Sequence, residues 1–254
     1  MQKLTALVPT YNEEANLAEC LQSVNWADEI FVVDSFSTDR SVEIAQQFGA
    51  RVEQREYESH ASQRNWAIAQ ASHEWILLLD ADERVTPELK EEIQHLLKSS
   101  PPYIGYRISR RNFFIGKEIK YCGWGNDWIV RLFQRDQCTI EECGFHGDIK
   151  TDQPLGRLKH KFIHYSYSSF DDYLHKFILY TTGGAEFMYQ KRKQARLSDL
   201  VSRPLFNFIK MYIIRWGFLD GIHGLIVCIL SSFYVFTKYA KLRMLYWQEK
   251  QKKA

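Results

Sequence analysis

The chain has 254 residues, of which 45% are hydrophobic and 25% charged, with a formal net charge of +2. That balance excludes intrinsic disorder and supplies apolar material for one large α/β domain with an appendage, or for two modest domains. Five cysteines form an odd set without a Cys-x-x-Cys pair; this argues against a disulfide scaffold, and with no signal-peptide pattern at the first residues a reducing cytoplasm is expected.

The first half alternates strand and helix patterns. Strands are predicted over residues 4–9, 29–34, 50–55 and 75–80. Helices are predicted over 14–24, 41–48, 62–71 and 87–97, the last with Thr86 as N-cap and Pro87 in its first position. Such alternation predicts a mostly parallel, Rossmann-like α/β sheet flanked by helices. Residues 103–109, 128–133 and 157–164 read as further strands between glycine-containing turns, so antiparallel members are expected there. A helix over 170–193 follows, then two hydrophobic helical stretches over 204–216 and 222–247.

Polar groups gather at the predicted strand ends, where open α/β sheets bind ligands. The first strand ends in Pro9-Thr10-Tyr11-Asn12-Glu13-Glu14, a loop that also suits a helix N-terminus capped by Asn12. The second ends in Asp34-Ser35; Asp34 stands where a carboxylate would take a base or ribose, and Asp39 suits the cap of the next helix. Arg64, early in the third helix, suits a phosphate or a carboxylate. Asp80-Ala81-Asp82-Glu83 closes the apolar run 75–79. In an extended segment residues i and i+2 share a side, so Asp80 and Asp82 are expected to address one divalent cation or polyhydroxyl ligand. An acidic turn capping the next helix is the alternative. A haloacid-dehalogenase-type phosphatase would need Thr or Val at Arg84, and a sugar nucleotidyltransferase would need glycines within 9–14, where there are none.

In order and spacing, P-T-Y-N-E at 9–13, V-V-D-S-x-S-T-D at 32–39, R-N at 64–65 and D-A-D-E at 80–83 resemble glycosyltransferase family 2, which has the GT-A fold. H-Y-S-Y-S-S at 164–169, Tyr173, Lys176, Gly217-Phe218-Leu219-Asp220-Gly221 and Lys238-Tyr239-Ala240-Lys241-Leu242 resemble its bacterial lipopolysaccharide-core β-1,4-glucosyltransferase-like subgroup. The resemblance implies inverting transfer of a hexose, glucose in that subgroup, from a nucleotide-sugar donor that is usually UDP-linked. Pro9, Asn12 and Glu13 would line the nucleotide pocket, Asp34 would contact uracil or ribose, and Arg64 would hold the nucleotide end. Asp80 would lie near the ribose, and Asp82 would bind the Mg²⁺ or Mn²⁺ that bridges the diphosphate. His164 would add a metal or diphosphate contact; a histidine held in a hydrogen-bond network is the alternative.

An inverting displacement needs one carboxylate base for the acceptor hydroxyl. Relatives usually carry a His-Glu pair after a strand such as Arg131-Leu132-Phe133, whereas this chain reads Phe145-His146-Gly147-Asp148. Asp148 is assigned as the base, with Glu141 and Glu142 as the other candidates; the glycine also leaves open a catalytically inactive scaffold. Cys122, Cys138, Cys143 and His146 lack the paired spacing of a zinc knuckle.

Residues 186–254 hold 13 Lys/Arg against 4 Asp/Glu, whereas 1–185 hold 20 against 27. The chain therefore reads as a catalytic domain over 1–185 joined to a basic, hydrophobic helical region over 186–254. Residues 221–237 carry no Asp, Glu, Lys or Arg. At about 1.5 Å per residue that stretch spans roughly 25 Å, short of the roughly 30 Å hydrocarbon core. Six lysines and arginines follow it. Attachment to an anionic membrane surface is expected, with a lipid-anchored glycan acceptor and no nucleic acid; packing against the catalytic domain is the alternative. Polyprenyl phosphate and capsular or exopolysaccharide glycans are the other acceptors considered.

Overall fold

Alternating side chains along β1 (Leu4–Thr10) build two cores at once. The structure, a computed structural model, describes residues 2–143 and 146–253; the side chains at 142–148 and 253 lie outside that description. After β1 come α1 (Leu17–Ser23), β2 (Glu29–Asp34), α2 (Ser41–Gln47), β3 (Arg51–Gln54), α3 (His60–Gln70), β4 (Trp75–Leu78), β5 (Glu83–Val85) and α4 (Pro87–Lys98). They are followed by β6 (Gly105–Phe114), β7 (Lys117–Glu118), β8 (Trp128–Gln134), β9 (Thr139–Cys143), β10 (His146–Lys150) and β11 (Gly156–Tyr167). Three longer helices complete the chain: α5 (Phe170–Gln190), α6 (Asp199–Ile209) and α7 (Gly221–Lys253).

Leu4, Ala6 and Val8 of β1 and Trp75 and Leu77 of β4 pack with Leu17 and Leu21 of α1 and Leu89 and Ile93 of α4. The residues between them, Leu7, Ile76 and Leu78, pack with Phe31 and Val33 of β2 and Ala67 and Ile68 of α3. A sheet covered on both faces needs apolar residues at successive positions, which is why these strands read as continuous apolar runs. Among the described residues nine strands form one sheet, in the order β3-β2-β1-β4-β8-β6-β11-β5 with β7 on β6; β9 and β10 form a separate hairpin. The pairs β1–β2, β1–β4 and β2–β3 are parallel, and β8 joins β4 and β6 antiparallel. The fold is thus α/β with a Rossmann-like parallel half and antiparallel additions.

Two local expectations are corrected. The strand predicted over 75–80 stops at Leu78, and Glu83 N donates to Asp80 O (2.9 Å), closing a turn. Asp80 and Asp82 therefore sit on a turn that feeds β5 back against β11, not on an extended segment with a shared side. The helix predicted from Pro204 begins at Asp199. The Asp199 carboxylate accepts from Arg196 N (2.9 Å), just before the helix, and from Arg203 Nε (2.7 Å), one turn on, and proline lies inside the helix. Proline there removes the donor for the carbonyl four residues earlier. A five-residue π-helix, Lys210–Ile214, continues α6.

The chain divides into two compact units, residues 1–111 with 127–164, and residues 112–126 with 165–254. The second unit has its own core around Phe114, Cys122, Tyr173, Phe177, Met211 and Cys228. Helix α7, 33 residues and about 50 Å long, belongs to this unit. The segment Gly217–Lys252 has length and composition enough to cross a membrane, and 22% of its most apolar stretch is buried.

Glu29, at the start of β2, ties together the lower edge of the parallel sheet. It accepts from Thr5 Oγ1 (2.6 Å), Arg51 Nε (2.9 Å), Ser72 N (2.9 Å) and Ser72 Oγ (2.7 Å). Burial acts against the charge, but these donors outweigh it and bring the carboxyl down to about 2 from 4.5. A lowered folded-state pKa gives stability that is complete above the unfolded value and lost as pH falls through the folded one. Glu29→Gln is expected to cost about 1–3 kcal/mol at pH 7. In urea titrations the gap to wild type should narrow between pH 4.5 and about 2.

Candidate active site

The loops after β1 and β2 are knitted into one scaffold. Asn12 adopts a left-handed φ of +52°, a conformation asparagine tolerates better than most residues. Its Oδ1 accepts from Thr38 N (2.8 Å), and its N donates to Ser37 Oγ (2.9 Å). Glu13 N donates to Ser41 Oγ (2.8 Å), and Glu13 Oε2 accepts from Asn16 Nδ2 (2.8 Å). Asp34 is fully buried; its Oδ2 accepts from Ser37 N and Gln54 Nε2, both at 2.9 Å, and its Oδ1 from Ser37 Oγ. Pro9, half-buried, stands opposite Val33 in the parallel ladder. Asp39 accepts from Ser41 N (2.9 Å) in the first turn of α2.

Beside this scaffold lies a buried charge network. Arg64 of α3 and Arg131 of β8 each donate to a different oxygen of Asp80. Glu83, with no exposed surface, accepts from Arg131 (3.0 Å) and Arg110 (3.2 Å), and its second oxygen accepts from Asp80 N (3.1 Å). Arg110 Nε also donates to Asp127 (2.8 Å). Three guanidinium groups thus meet three carboxylates. Burial pushes the Asp80 pKa up, but Arg131 and Arg64 prevail and hold it well below the usual carboxylate range. Burial lowers the Arg131 pKa, and Asp80 and Glu83 more than reverse this. Both Asp80 oxygens are engaged by protein donors. Among the described residues the buried Nε groups of Arg64 and Arg131 and Oε1 of Gln63 have no protein hydrogen-bond partner.

Asp82, two residues along the turn, meets a different partner. Its Oδ2 lies 3.5 Å from His164 Nε2, and both side chains are largely buried, 15% and 16% exposed. Pairing of β5 with β11 sets His164 opposite Glu83. A carboxylate and an imidazole suit magnesium or manganese when substrate phosphates complete the shell. Among the described residues no group of three or more His, Cys, Asp and Glu is arranged to hold a metal by itself. The Cys122 sulfur faces Cys228 Sγ (3.5 Å) and Asp220 Oδ2 (3.8 Å); the side chains of Cys143 and His146 lie outside the described residues.

The base candidates lie on the β9–β10 hairpin, whose register pairs Asp148 with Glu141 and Gly147 with Glu142. The side chains of Asp148 and Glu142 lie outside the described residues, and Glu141 is exposed. Asn65 holds this hairpin to α3: its Oδ1 accepts from Ile140 N (2.9 Å), and its Nδ2 donates to Ile140 O (2.8 Å). The carboxamide mimics a neighbouring strand. Sequence reasoning assigned no role to Asn65, Glu83, Arg110 or Arg131. The available signals were a poor helix former inside α3 and an arginine interrupting the apolar run of β8.

Residues 5–145 match the family model for glycosyl transferase family 2. The chain is 28% identical to an uncharacterized glycosyltransferase of Rickettsia typhi, over 96% of its own length and 88% of the relative's. It is 27% identical to the lipopolysaccharide core biosynthesis glycosyltransferase LpsC of Rhizobium meliloti, over 94% and 91% of the two lengths. The solved structure of S. aureus TarS 1-349 in complex with UDP aligns with a TM-score of 0.50 and 16% identity, covering 97% of this chain and 92% of that one. The latter likeness is one of fold.

Proposed function

The chain belongs to glycosyltransferase family 2, and from that premise we propose that it transfers a hexose, glucose, from a UDP-linked donor to a lipid-anchored glycan of the lipopolysaccharide core. Transfer would take place at the cytoplasmic face of the bacterial membrane. The observation that carries this reading is the division of labour on the turn after β4: Asp80 is locked between Arg64 and Arg131, while Asp82 faces His164. The likeness to LpsC supports the acceptor class, and the basic, apolar C-terminal region supports its lipid anchorage. In this reading residues 1–185 carry the transfer, and 186–254 hold the protein at an anionic surface.

Pro9, Asn12 and Glu13 line the nucleotide pocket, and Asp34 holds the β2 loop in shape beneath base and ribose. Arg64 and Arg131 keep Asp80 ionised and fixed near the ribose. Asp82 and His164 would hold Mg²⁺ or Mn²⁺. Such an ion, when bound, neutralises the charge that develops on the departing nucleoside diphosphate. Asp148 takes the proton from the acceptor hydroxyl as its oxygen attacks the anomeric carbon opposite the leaving group, which inverts the configuration. Asn65 keeps the hairpin bearing that carboxylate against α3.

Asp148→Asn is expected to lower turnover by about 10²–10⁴-fold with donor affinity retained, and Glu141→Gln to leave both near wild type. The reverse pattern would move the base to Glu141. Wild-type rates in both these variants and in Glu142→Gln would remove the hairpin from the chemistry. Absence of transfer by the wild-type protein itself would favour the scaffold reading.

A further inference from the structure

The unit formed by residues 112–126 and 165–254 holds a half-open cavity of about 340 Å³ that none of the roles above uses. Its floor is buried and apolar, with Phe114, Tyr173, Phe177, Met211 and Val227 among its lining residues. The hydroxyl of Tyr173 donates to Leu230 O (3.2 Å) and that of Tyr234 to Tyr180 O (3.4 Å). These hydroxyl protons are thus spent on the protein, as is the amide of the lining residue Asn207, which donates to Met211 Sδ (3.3 Å) and Ser232 Oγ (3.5 Å). A sugar would need polar partners in such a cavity, whereas a hydrocarbon chain needs none.

Two cations, half-buried Lys210 and exposed Arg215, also line it, beside uncharged Asn207 and Ser231, and no aspartate or glutamate contributes. Among the described residues neither cation has an ion-pair partner. Arg215 is held in a cradle that only glycine provides: Gly123 has φ +90°, and a Cβ there would lie 2.1 Å from Arg215 Nη1. The helical segment that supplies Asn207, Lys210 and Met211 to the cavity also carries an exposed apolar stripe. Val201, Leu205 and Ile209 of α6 and Ile213 of the π-helix that continues it recur every fourth residue and are all exposed. An apolar cavity, two unpaired cations and an exposed apolar stripe therefore share one short segment.

We propose that this cavity takes one hydrocarbon chain of a phosphate-bearing membrane lipid, with the phosphate at Lys210 and Arg215 and the stripe seated in the lipid interface. The inference deepens the membrane reading above and rests on it, but it does not depend on the sugar or on the base.

Dodecyl phosphate brominated along its chain is the probe, added to the full-length protein below its micelle concentration and followed by tryptophan quenching. Trp124 lines the cavity, so saturable quenching is expected in wild type and its loss in Trp124→Phe. Dodecyl maltoside and inorganic phosphate should each bind at least tenfold more weakly. K210Q/R215Q should bind dodecyl phosphate at least tenfold more weakly, with its melting temperature and UDP-sugar affinity unchanged. Equal binding of dodecyl maltoside would reduce the feature to an apolar cavity, and equal binding of inorganic phosphate to an anion site; either overturns the proposal. So would unchanged quenching in Trp124→Phe or unchanged affinity in the double variant. A protein that transfers sugar but fails these tests loses only this site, whereas one that binds the lipid but transfers nothing loses only the transferase reading.

Discussion

Arg131→Met is expected to destabilise the unit built from residues 1–111 and 127–164 by about 3–5 kcal/mol, because it strips compensation from two carboxylates at once. Arg131 Nη2 serves both Asp80 and Glu83, and Glu83 is fully buried. Methionine fills similar volume, so the loss reports charge and hydrogen bonding more than a cavity. Asp80→Asn should destabilise by a comparable route, since it leaves Arg64 and Arg131 facing a neutral amide. The double variant Arg131→Met/Glu83→Gln should regain part of the loss, a coupling that urea titration of the four proteins measures. The acid limb follows from the lowered Asp80 pKa: its contribution is complete above the ordinary carboxylate range and disappears as pH falls below it.

Asp82→Asn is expected to behave differently although it lies two residues away. It lies 3.5 Å from His164 Nε2, and it is not the carboxylate that Arg64 and Arg131 hold, which is Asp80. Stability should therefore stay near wild type, while transfer falls by about 10²–10³-fold, the scale of losing one group that stabilises developing charge. UDP-sugar affinity should drop with manganese present and match wild type in EDTA. The comparison of melting temperature and turnover for Asp80→Asn and Asp82→Asn is diagnostic. If both variants lose stability alike, the turn is only a structural cap; if neither loses activity, the metal assignment is wrong.

The parallel half of the sheet was legible because strands buried on both faces must be apolar at successive positions, and 6–9, 30–33 and 75–79 are. The acidic turn was legible as a motif, but its division of labour was not. The arginines that claim Asp80 are 16 and 51 residues away in sequence, and no local pattern announces them. β5 escaped because Glu83-Arg84-Val85 is too short to show alternation; its charged members are met by Arg131, Arg110, Glu19 and backbone carbonyls. The β9–β10 hairpin escaped because the mixed run Thr139-Ile140-Glu141-Glu142-Cys143 gives no clear period. The start of α6 was misplaced because proline at a first helical position is a strong signal, whereas the N-cap observed, Ser198, makes no side-chain capping hydrogen bond.

The most direct measurement is transfer itself. The purified full-length chain would be incubated with UDP-glucose and a truncated lipopolysaccharide-core acceptor in anionic vesicles, and the anomeric configuration of the product read by NMR. The account predicts UDP release matched by one β-linked hexose per acceptor, abolished by EDTA and restored by manganese. An α-linked product, or no UDP formation from any UDP-sugar with or without manganese, would contradict it.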